Sequence, residues 1–217
     1  MILGRATMAN WVIRCSERYL SLVYDRLQKY LCAQKIIQAD ETTCQVTKDG
    51  RPSDAKSYMF VYRTSEHCKE KPVILYQYGK TRSKSNIQKF LTGFSGTLIS
   101  DAFSGYKSLD RNDENIHSAF CWAHARRDYA DALKALKGED KNYAHETVAH
   151  KALVQIAAIY KAEEALKDLT AEERYSRRQR EVKPLVEAYF AWVHEQDPAT
   201  ILSQKTRDGL NYSMNQE

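Results

Sequence analysis

Two aspartates stand at the ends of apolar, strand-like runs. They are Asp40 in Ile36-Ile37-Gln38-Ala39-Asp40-Glu41-Thr42-Thr43, and Asp101 in the stretch from Gly96 to Tyr106 (Gly-Thr-Leu-Ile-Ser-Asp-Ala-Phe-Ser-Gly-Tyr). A carboxylate at the end of a buried strand sits on rigid backbone, where it can meet another from a neighbouring strand. Two converging carboxylates repel and are usually held together by a cation. Oxygen donors favour Mg²⁺ or Mn²⁺, and paired ions of that kind cut and join phosphodiesters. The competing reading is local, since aspartate starts turns and caps helices in any fold. Glu41 is a weaker candidate. Strand alternation turns it to the face opposite Asp40, where it reads as solvated surface or as the cap of a neighbouring helix.

Cys121 and His124 form a Cys-x-x-His string. That is half of a zinc module, but no second pair at matching spacing follows. The alternative is a packed thiol and a hydrogen-bonded histidine that brace a core. Arg126 and Arg127 come next. Either suits a DNA phosphate or a carboxylate near metal, or a surface ion pair with Asp128 or Asp131. Two basic stretches are candidate DNA contacts, Lys80, Arg82, Lys84 and Lys89 on one hand and Arg174 to Lys183 on the other; their alternative is a solvated helix face.

Composition narrows the class. At 217 residues the chain can hold one sizeable core and an appended helical part. A net charge of +5 favours nucleic acid only weakly. No apolar run approaches the ~18 residues that span a membrane, and the N-terminus lacks a signal peptide's compact apolar core. The five cysteines (Cys15, Cys32, Cys44, Cys68, Cys121) are odd in number and show no paired spacing, which points to reduced thiols and a cytoplasmic setting.

Several ordered stretches carry a resemblance. Ala-Asp-Glu-Thr-Thr-Cys-Gln-Val (39–46), Lys-Ser-Tyr-Met-Phe-Val-Tyr-Arg-Thr (56–64), Pro-Val-Ile-Leu-Tyr-Gln-Tyr (72–78), the segment 90–106, Cys-Trp-Ala-His-Ala-Arg-Arg-Asp-Tyr (121–129), the segment 173–193 and the closing Leu-Asn-Tyr-Ser-Met-Asn-Gln-Glu together resemble the DDE transposases of the bacterial insertion sequence 66 family. The resemblance runs from Thr7 to Glu217. It implies that Asp40 and Asp101 are the first two acids of a catalytic triad and ligate metal. Two Mg²⁺ or Mn²⁺ ions are implied in the complete enzyme, which would cleave DNA and transfer strands. Cys121 and His124 would be the Cys-x-x-His string between the second and third acids. The implied partners are the element's terminal repeats, target DNA and further copies of the enzyme, with no membrane. The family's third acid is a glutamate in an Asn-Asn-x-x-Glu-Arg segment that does not occur here, and members extend further at the N-terminus. The expectation is therefore an internal fragment, incomplete or inactive by itself.

Three sections must position these residues. From about Arg5 to Gln34, Trp11, Ile13, Cys15, Tyr19, Leu22, Val23, Leu27, Tyr30 and Leu31 recur mostly at helical steps, which predicts a helix packed on the core, with Thr7 or Asn10 as its cap. The other possibility is the tail of an upstream DNA-binding helical domain. From Lys35 to Leu136, strands are predicted at 36–46, 57–63, 73–78, 97–100 and 116–121, with helices at 85–91, capped by Ser85, and 122–136. Lys48-Asp49-Gly50 supplies turn chemistry. Tyr58, Tyr62, Tyr76 and Tyr78 sit at strand spacing and read as sheet residues rather than base-stacking platforms. The region 137–217 reads as a helical insertion leading toward the third acid. Val148, Leu153, Ile156, Ile159, Tyr160 and Leu166 form a stripe, Thr170-x-x-Glu173 a capping box, and Gln196-Asp197-Pro198 a break before a helix at 201–215.

Three antiparallel strands followed by alternating helix and strand is the order of a ribonuclease-H-like α/β fold. Its first and fourth strands are neighbours, so Asp40 and Asp101 would lie side by side. Lys80, Arg82 and Lys84 would fall near the same end of the sheet. Two other classes remain open. A stand-alone ribonuclease-H-like nuclease needs further carboxylates, and no motif selects Glu187 or Glu195 for that part. A non-catalytic remnant would bind DNA or transposase subunits.

Overall fold

Apolar alternation and one helix face account for the first half of the molecule. The computed structural model describes residues 3–47, 50–52, 54–65, 68, 71–101, 103–110 and 114–217. Lys48 and Asp49 of the expected turn lie outside these residues. The chain opens with α1 (Arg5–Cys15), which runs through a π-helical turn at Ser16–Leu20 into α2 (Ser21–Cys32). Gly4, not Thr7 or Asn10, is the N-cap. The packing expected of this face holds only from Tyr24 onward. Leu31 and Cys32 are buried, while Trp11, Ile13, Tyr19, Leu22 and Val23 are exposed. Helical spacing makes a stripe, but only α2 reaches the core, through Tyr24, Leu27, Leu31 and Cys32. There the Tyr24 hydroxyl donates to the Tyr76 carbonyl at 3.0 Å and Gln28 Nε2 to that of Phe90 at 2.7 Å.

The strands β1 (Ile36–Gln45), β2 (Lys56–Thr64) and β3 (Ile74–Gly79) form an antiparallel meander. Then come α3 (Lys84–Phe90), β4 (Gly96–Ser100), α4 (Ser104–Asp110) and β5 (Ile116–Phe120). Ser83, not Ser85, precedes α3 as its N-cap. The five strands make one mixed sheet in the order β3-β2-β1-β4-β5, with β4 parallel to both β1 and β5. Two parallel neighbours need a crossover, and α3 and α4 provide the helical cover such links bring. One sheet face carries Ile37, Ala39, Phe60, Tyr62 and Leu98, all buried, with Ile87 and Phe90 of α3 and Tyr106 and Leu109 of α4 in the same core. Tyr62 stacks on Phe90 with ring centres 3.6 Å apart.

Gly96 lets β4 meet β1. Its φ of +153° and a β-carbon that would stand 2.3 Å from the Lys35 carbonyl oxygen both require glycine. Thr97 N–H then donates to that same oxygen at 2.8 Å.

A second compact unit begins at Cys121. It holds α5 (Trp122–Lys134), a 3₁₀ segment at Gly138–Glu146, α6 (Val148–Glu164), α7 (Ala171–Arg177), a π-helical turn at Arg178–Val182, α8 (Lys183–His194), a 3₁₀ turn at Pro198–Thr200 and α9 (Gln204–Met214). The sequence reading places the Trp122 helix with the sheet. In the structure, Tyr129 and Ala132 of α5 pack instead with Ala149, Ala152, Ile156 and Ile159 of α6, Tyr189 and Val193 of α8 and Leu210 of α9. Of the expected stripe, Ile156, Ile159 and Leu166 are buried in this core and Val148 and Leu153 pack against it, with Ala149 and Ala152 beside them. The Thr170–Glu173 capping box forms in full. Among the described residues, no helix is long and apolar enough to cross a membrane.

Candidate functional site

Strand register decides which acids can meet. Between β1 and β4 the Cα partners are Ile36 with Thr97, Ile37 with Leu98 and Gln38 with Ile99, a constant offset of 61 residues. The same offset separates Asp40 from Asp101, so two further steps along both chains set them level. Asp101 is the first residue after β4, while β1 continues in partnership with β2, Asp40 opposite Val61. The third strand reaches this end too: Gly79 pairs with Tyr58, and Tyr58 with Thr43. Lys80, Arg82 and Lys84 thus follow β3 at the end of the sheet where Asp40 and Asp101 stand.

Each aspartate is tied locally. Asp40 Oδ1 accepts the Glu41 backbone N–H at 2.8 Å. Asp101 Oδ1 accepts the Phe103 N–H at 3.1 Å, a small turn that points the carboxylate back over the strand end. Asp101 Oδ2 accepts from Arg82 Nη2 at 2.7 Å.

Glu41 is not at the surface. It shares a strand face with Ile37 and Ala39, and that is the face the helices cover, so its side chain is 2 % exposed. A buried carboxylate needs a counter-charge and hydrogen bonds. Arg82 supplies the charge, with Nε and Nη2 both directed at Glu41 Oε1. The Tyr106 hydroxyl donates to Oε2 at 2.7 Å. Arg82 also lies over the Phe103 ring, 3.9 Å from its centre, and Phe103 meets Tyr106 edge to face at 6.1 Å. The result is a closed ring of contacts through Glu41, Arg82, Asp101, Phe103 and Tyr106.

These surroundings shift proton affinities. Burial pushes the Glu41 carboxyl above the usual glutamate value and Asp101 adds to it, while Tyr106 and Arg82 oppose. Burial, then Glu41, drives the Tyr106 phenol far up. Burial weakens the hold of Arg82 on its proton, but Glu41 and Asp101 more than restore it.

The other expected residues fall as follows. Arg82, a candidate DNA contact, is engaged with the two carboxylates and remains about a third exposed. Lys84 Nζ donates to the Ser108 carbonyl at 3.3 Å, and the Lys80 carbonyl accepts from Arg51 Nη1 at 2.5 Å. In the second unit, Cys121 is the N-cap residue of α5 and hydrogen-bonds to the His124 side chain. His124 stacks near Tyr212, whose hydroxyl donates to the Cys121 carbonyl at 3.4 Å. The His124 bond holds the thiol below the usual cysteine range; burial opposes it, and the N–H groups of Ala123 and His124 assist. Arg126 and Arg127 are exposed, and Asp128 and Asp131 pair with Lys205 and Lys134.

Sequence reasoning missed the part played by Glu41 and the contributions of Phe103 and Tyr106. One signal was available. A charged residue in phase with Ile37 and Ala39 falls on a buried face and calls for a cation.

Among curated proteins, the chain is similar to three uncharacterized proteins of Sinorhizobium fredii. It is 27% identical to y4jD over 192 residues, 85% of this chain and 36% of that protein. It is 24% identical to y4hP over 226 residues, covering 98% and 40%, and 22% identical to y4qI over 220 residues, covering 97% and 39%. The chain thus spans two-fifths or less of the length of these relatives. A sheet whose register sets Asp40 of β1 level with Asp101 fits what the family comparison adds: the model described as Transposase IS66 family matches residues 1–217, and the chain belongs to that family.

Proposed function

We propose that this chain carries the acidic core of a DDE transposase, a ribonuclease-H-like domain that cleaves DNA and transfers strands with Mg²⁺ or Mn²⁺. The observation that carries this reading is the β1–β4 register, whose offset of 61 residues is the separation of Asp40 and Asp101. The strand order β3-β2-β1-β4-β5, antiparallel on one side of β1 and parallel on the other, supports the fold assignment.

The residues present fit a divalent cation by donor type. Asp40, within β1, and Asp101, just after β4, offer hard carboxylate oxygens on rigid backbone, and the Arg82 guanidinium between Glu41 and Asp101 marks this corner as one that demands positive charge. Among the described residues no group of three or more acidic, histidine or cysteine side chains is placed to hold a metal ion; Asp40 and Asp101 would hold it as a pair, with water and DNA oxygens completing its shell. When bound, Mg²⁺ or Mn²⁺ supplies Lewis-acid stabilisation of charge on a phosphodiester and lowers the proton affinity of a coordinated nucleophile. The chain's own residues orient these ligands. The Glu41 N–H fixes Asp40, and the Phe103 N–H with Arg82 fixes Asp101. Lys80 and Lys84 add positive charge at the same sheet end, suited to DNA phosphates. By the same reading the full-length enzyme is a bacterial cytoplasmic protein that acts on terminal repeats and target DNA as a homo-oligomer.

The test is a calorimetric Mn²⁺ titration of the wild type beside Asp40→Asn and Asp101→Asn. Weak binding lost in both variants is expected. Equal affinity in all three proteins would sink the assignment of these aspartates.

A further inference from the structure

Asp40 and Asp101 serve as the ion's ligands in the reading above, but that reading gives Glu41 no part and does not say what its ion pair with Arg82 does to the ion. The Glu41 side chain is 2 % exposed and both its oxygens are engaged, one by Arg82 and one by Tyr106, so it is poorly placed to ligate an ion from solvent. Arg82 directs Nε and Nη2 at Glu41 and only that same Nη2 at Asp101. That asymmetry matters. Glu41 is the anchor and Asp101 the exchangeable partner, because the Asp101 side chain is 18 % exposed and keeps its Oδ1 on the Phe103 N–H whatever Arg82 does. Phe103 closes the arrangement, its ring under the guanidinium plane at 3.9 Å.

We propose that Arg82 is a positioning residue for Asp101, anchored by Glu41 and Tyr106, and that it competes with the divalent cation for Asp101 Oδ2. This rests on the reading of Asp101 as a metal ligand. Without a cation, the guanidinium neutralises Asp101 and holds its carboxylate in one rotamer at the strand end. When a divalent ion arrives, Arg82 Nη2 gives up Asp101 and keeps Glu41, so the guanidinium stays beside the ion and one Nη2 N–H is freed for a phosphate. A positive charge a few ångströms from the ligand weakens ion binding, and an acid beyond it offsets that charge. The two halves of the ion pair therefore act on metal affinity with opposite signs.

That opposition is the test. Mn²⁺ affinity is measured by calorimetry at neutral pH for the wild type, Arg82→Gln, Glu41→Gln and Asp101→Asn, with thermal unfolding of each. Arg82→Gln is expected to bind Mn²⁺ about three- to tenfold more tightly, and Glu41→Gln more weakly by a similar factor. Both variants should lower the unfolding midpoint, so a merely structural role would weaken binding in both. The metal-free pairing is read separately from the nitrogen-15 signal of the Arg82 Nε–H group, assigned by its loss in Arg82→Gln. Its shift should change in Glu41→Gln and less in Asp101→Asn. Weaker Mn²⁺ binding in Arg82→Gln, or an Nε–H signal indifferent to Glu41→Gln, overturns the proposal. Mn²⁺ binding unaffected by Asp101→Asn removes the cation site itself and the competition with it, while the nitrogen signal still reports whether Glu41 anchors Arg82.

Discussion

Arg82 joins Glu41 to Asp101, donating to Asp101 Oδ2 at 2.7 Å while both Nε and Nη2 face Glu41. An acid of β1 and the acid that follows β4 are thereby held to one cation that belongs to the protein. The consecutive residues Asp40 and Glu41 consequently do different work. Asp40 stands level with Asp101 by register, and Glu41, one step on, is turned into the core.

Truncating Glu41 should destabilise the fold. Glu41→Ala removes a buried carboxylate and leaves the Tyr106 hydroxyl and part of the Arg82 guanidinium without their acceptor. Arg82 can turn toward water because it is about a third exposed, so the expected cost is about 2–4 kcal/mol, below the upper range for a broken buried pair. Urea unfolding measures it. A loss under about 0.5 kcal/mol, the size of an ordinary surface change, would contradict the buried placement.

The same carboxyl makes stability fall with rising pH. The folded protein holds the Glu41 proton more tightly than the unfolded chain, chiefly because burial penalises the charged form. Above the ordinary glutamate value of 4.5 the native state therefore binds more protons, and stability declines as pH rises through the raised value. Glutamine cannot titrate, so Glu41→Gln should flatten this slope. Urea midpoints of both proteins from pH 4.5 to 7.5 provide the comparison, and a wild-type advantage that grows with pH would reverse the sign.

Much of this arrangement was legible in the chain because it depends on local periodicity. Ile36 to Val46 and Ser57 to Arg63 alternate, and the observed strands follow within a residue or two. Thr170 and Glu173 sit at capping-box spacing and form one. What escaped depends on distance. Arg82 and Tyr106 reach Glu41 across 41 and 65 residues, and nothing near Glu41 in sequence announces either. The helix Ser104–Asp110 has seven residues, too few for a face to repeat. Trp11, Ile13 and Tyr19 show the converse: helical spacing marks an apolar stripe but does not say what covers it.

The helical unit is expected to be intolerant around Gly209 and Ser213. Ser213 Oγ lies 2.7 Å from the Tyr189 hydroxyl and 3.5 Å from that of Tyr129, all three buried. Ser213→Ala should cost about 1–3 kcal/mol through poorly satisfied phenols. A β-carbon at Gly209 would stand 2.8 Å from the Tyr129 ring, so Gly209→Ala should cost a similar amount despite its better helix propensity. Urea unfolding of both variants checks this, and stabilisation by Gly209→Ala would show that the ring gives way freely.

The last expectation concerns Cys121. Its thiol is held below the usual range first by the hydrogen bond to His124, with backbone N–H groups at the start of α5 assisting and burial opposing. A thiol that deprotonates more readily reacts faster with an alkylating agent near neutral pH, because the thiolate is the nucleophile. Removing His124 deletes the largest favourable influence and leaves burial, which works the other way. His124→Ala should therefore move the pH–rate profile for alkylation of Cys121 by iodoacetamide to higher pH. The backbone N–H groups of the helix start would limit the displacement. Peptide mass spectrometry separates Cys121 from the other four thiols, and Cys15, exposed on α1, is the internal reference. An unmoved Cys121 profile would show that the helix start, not His124, tunes the thiol. Equal shifts at Cys121 and Cys15 would point to a global change in the protein.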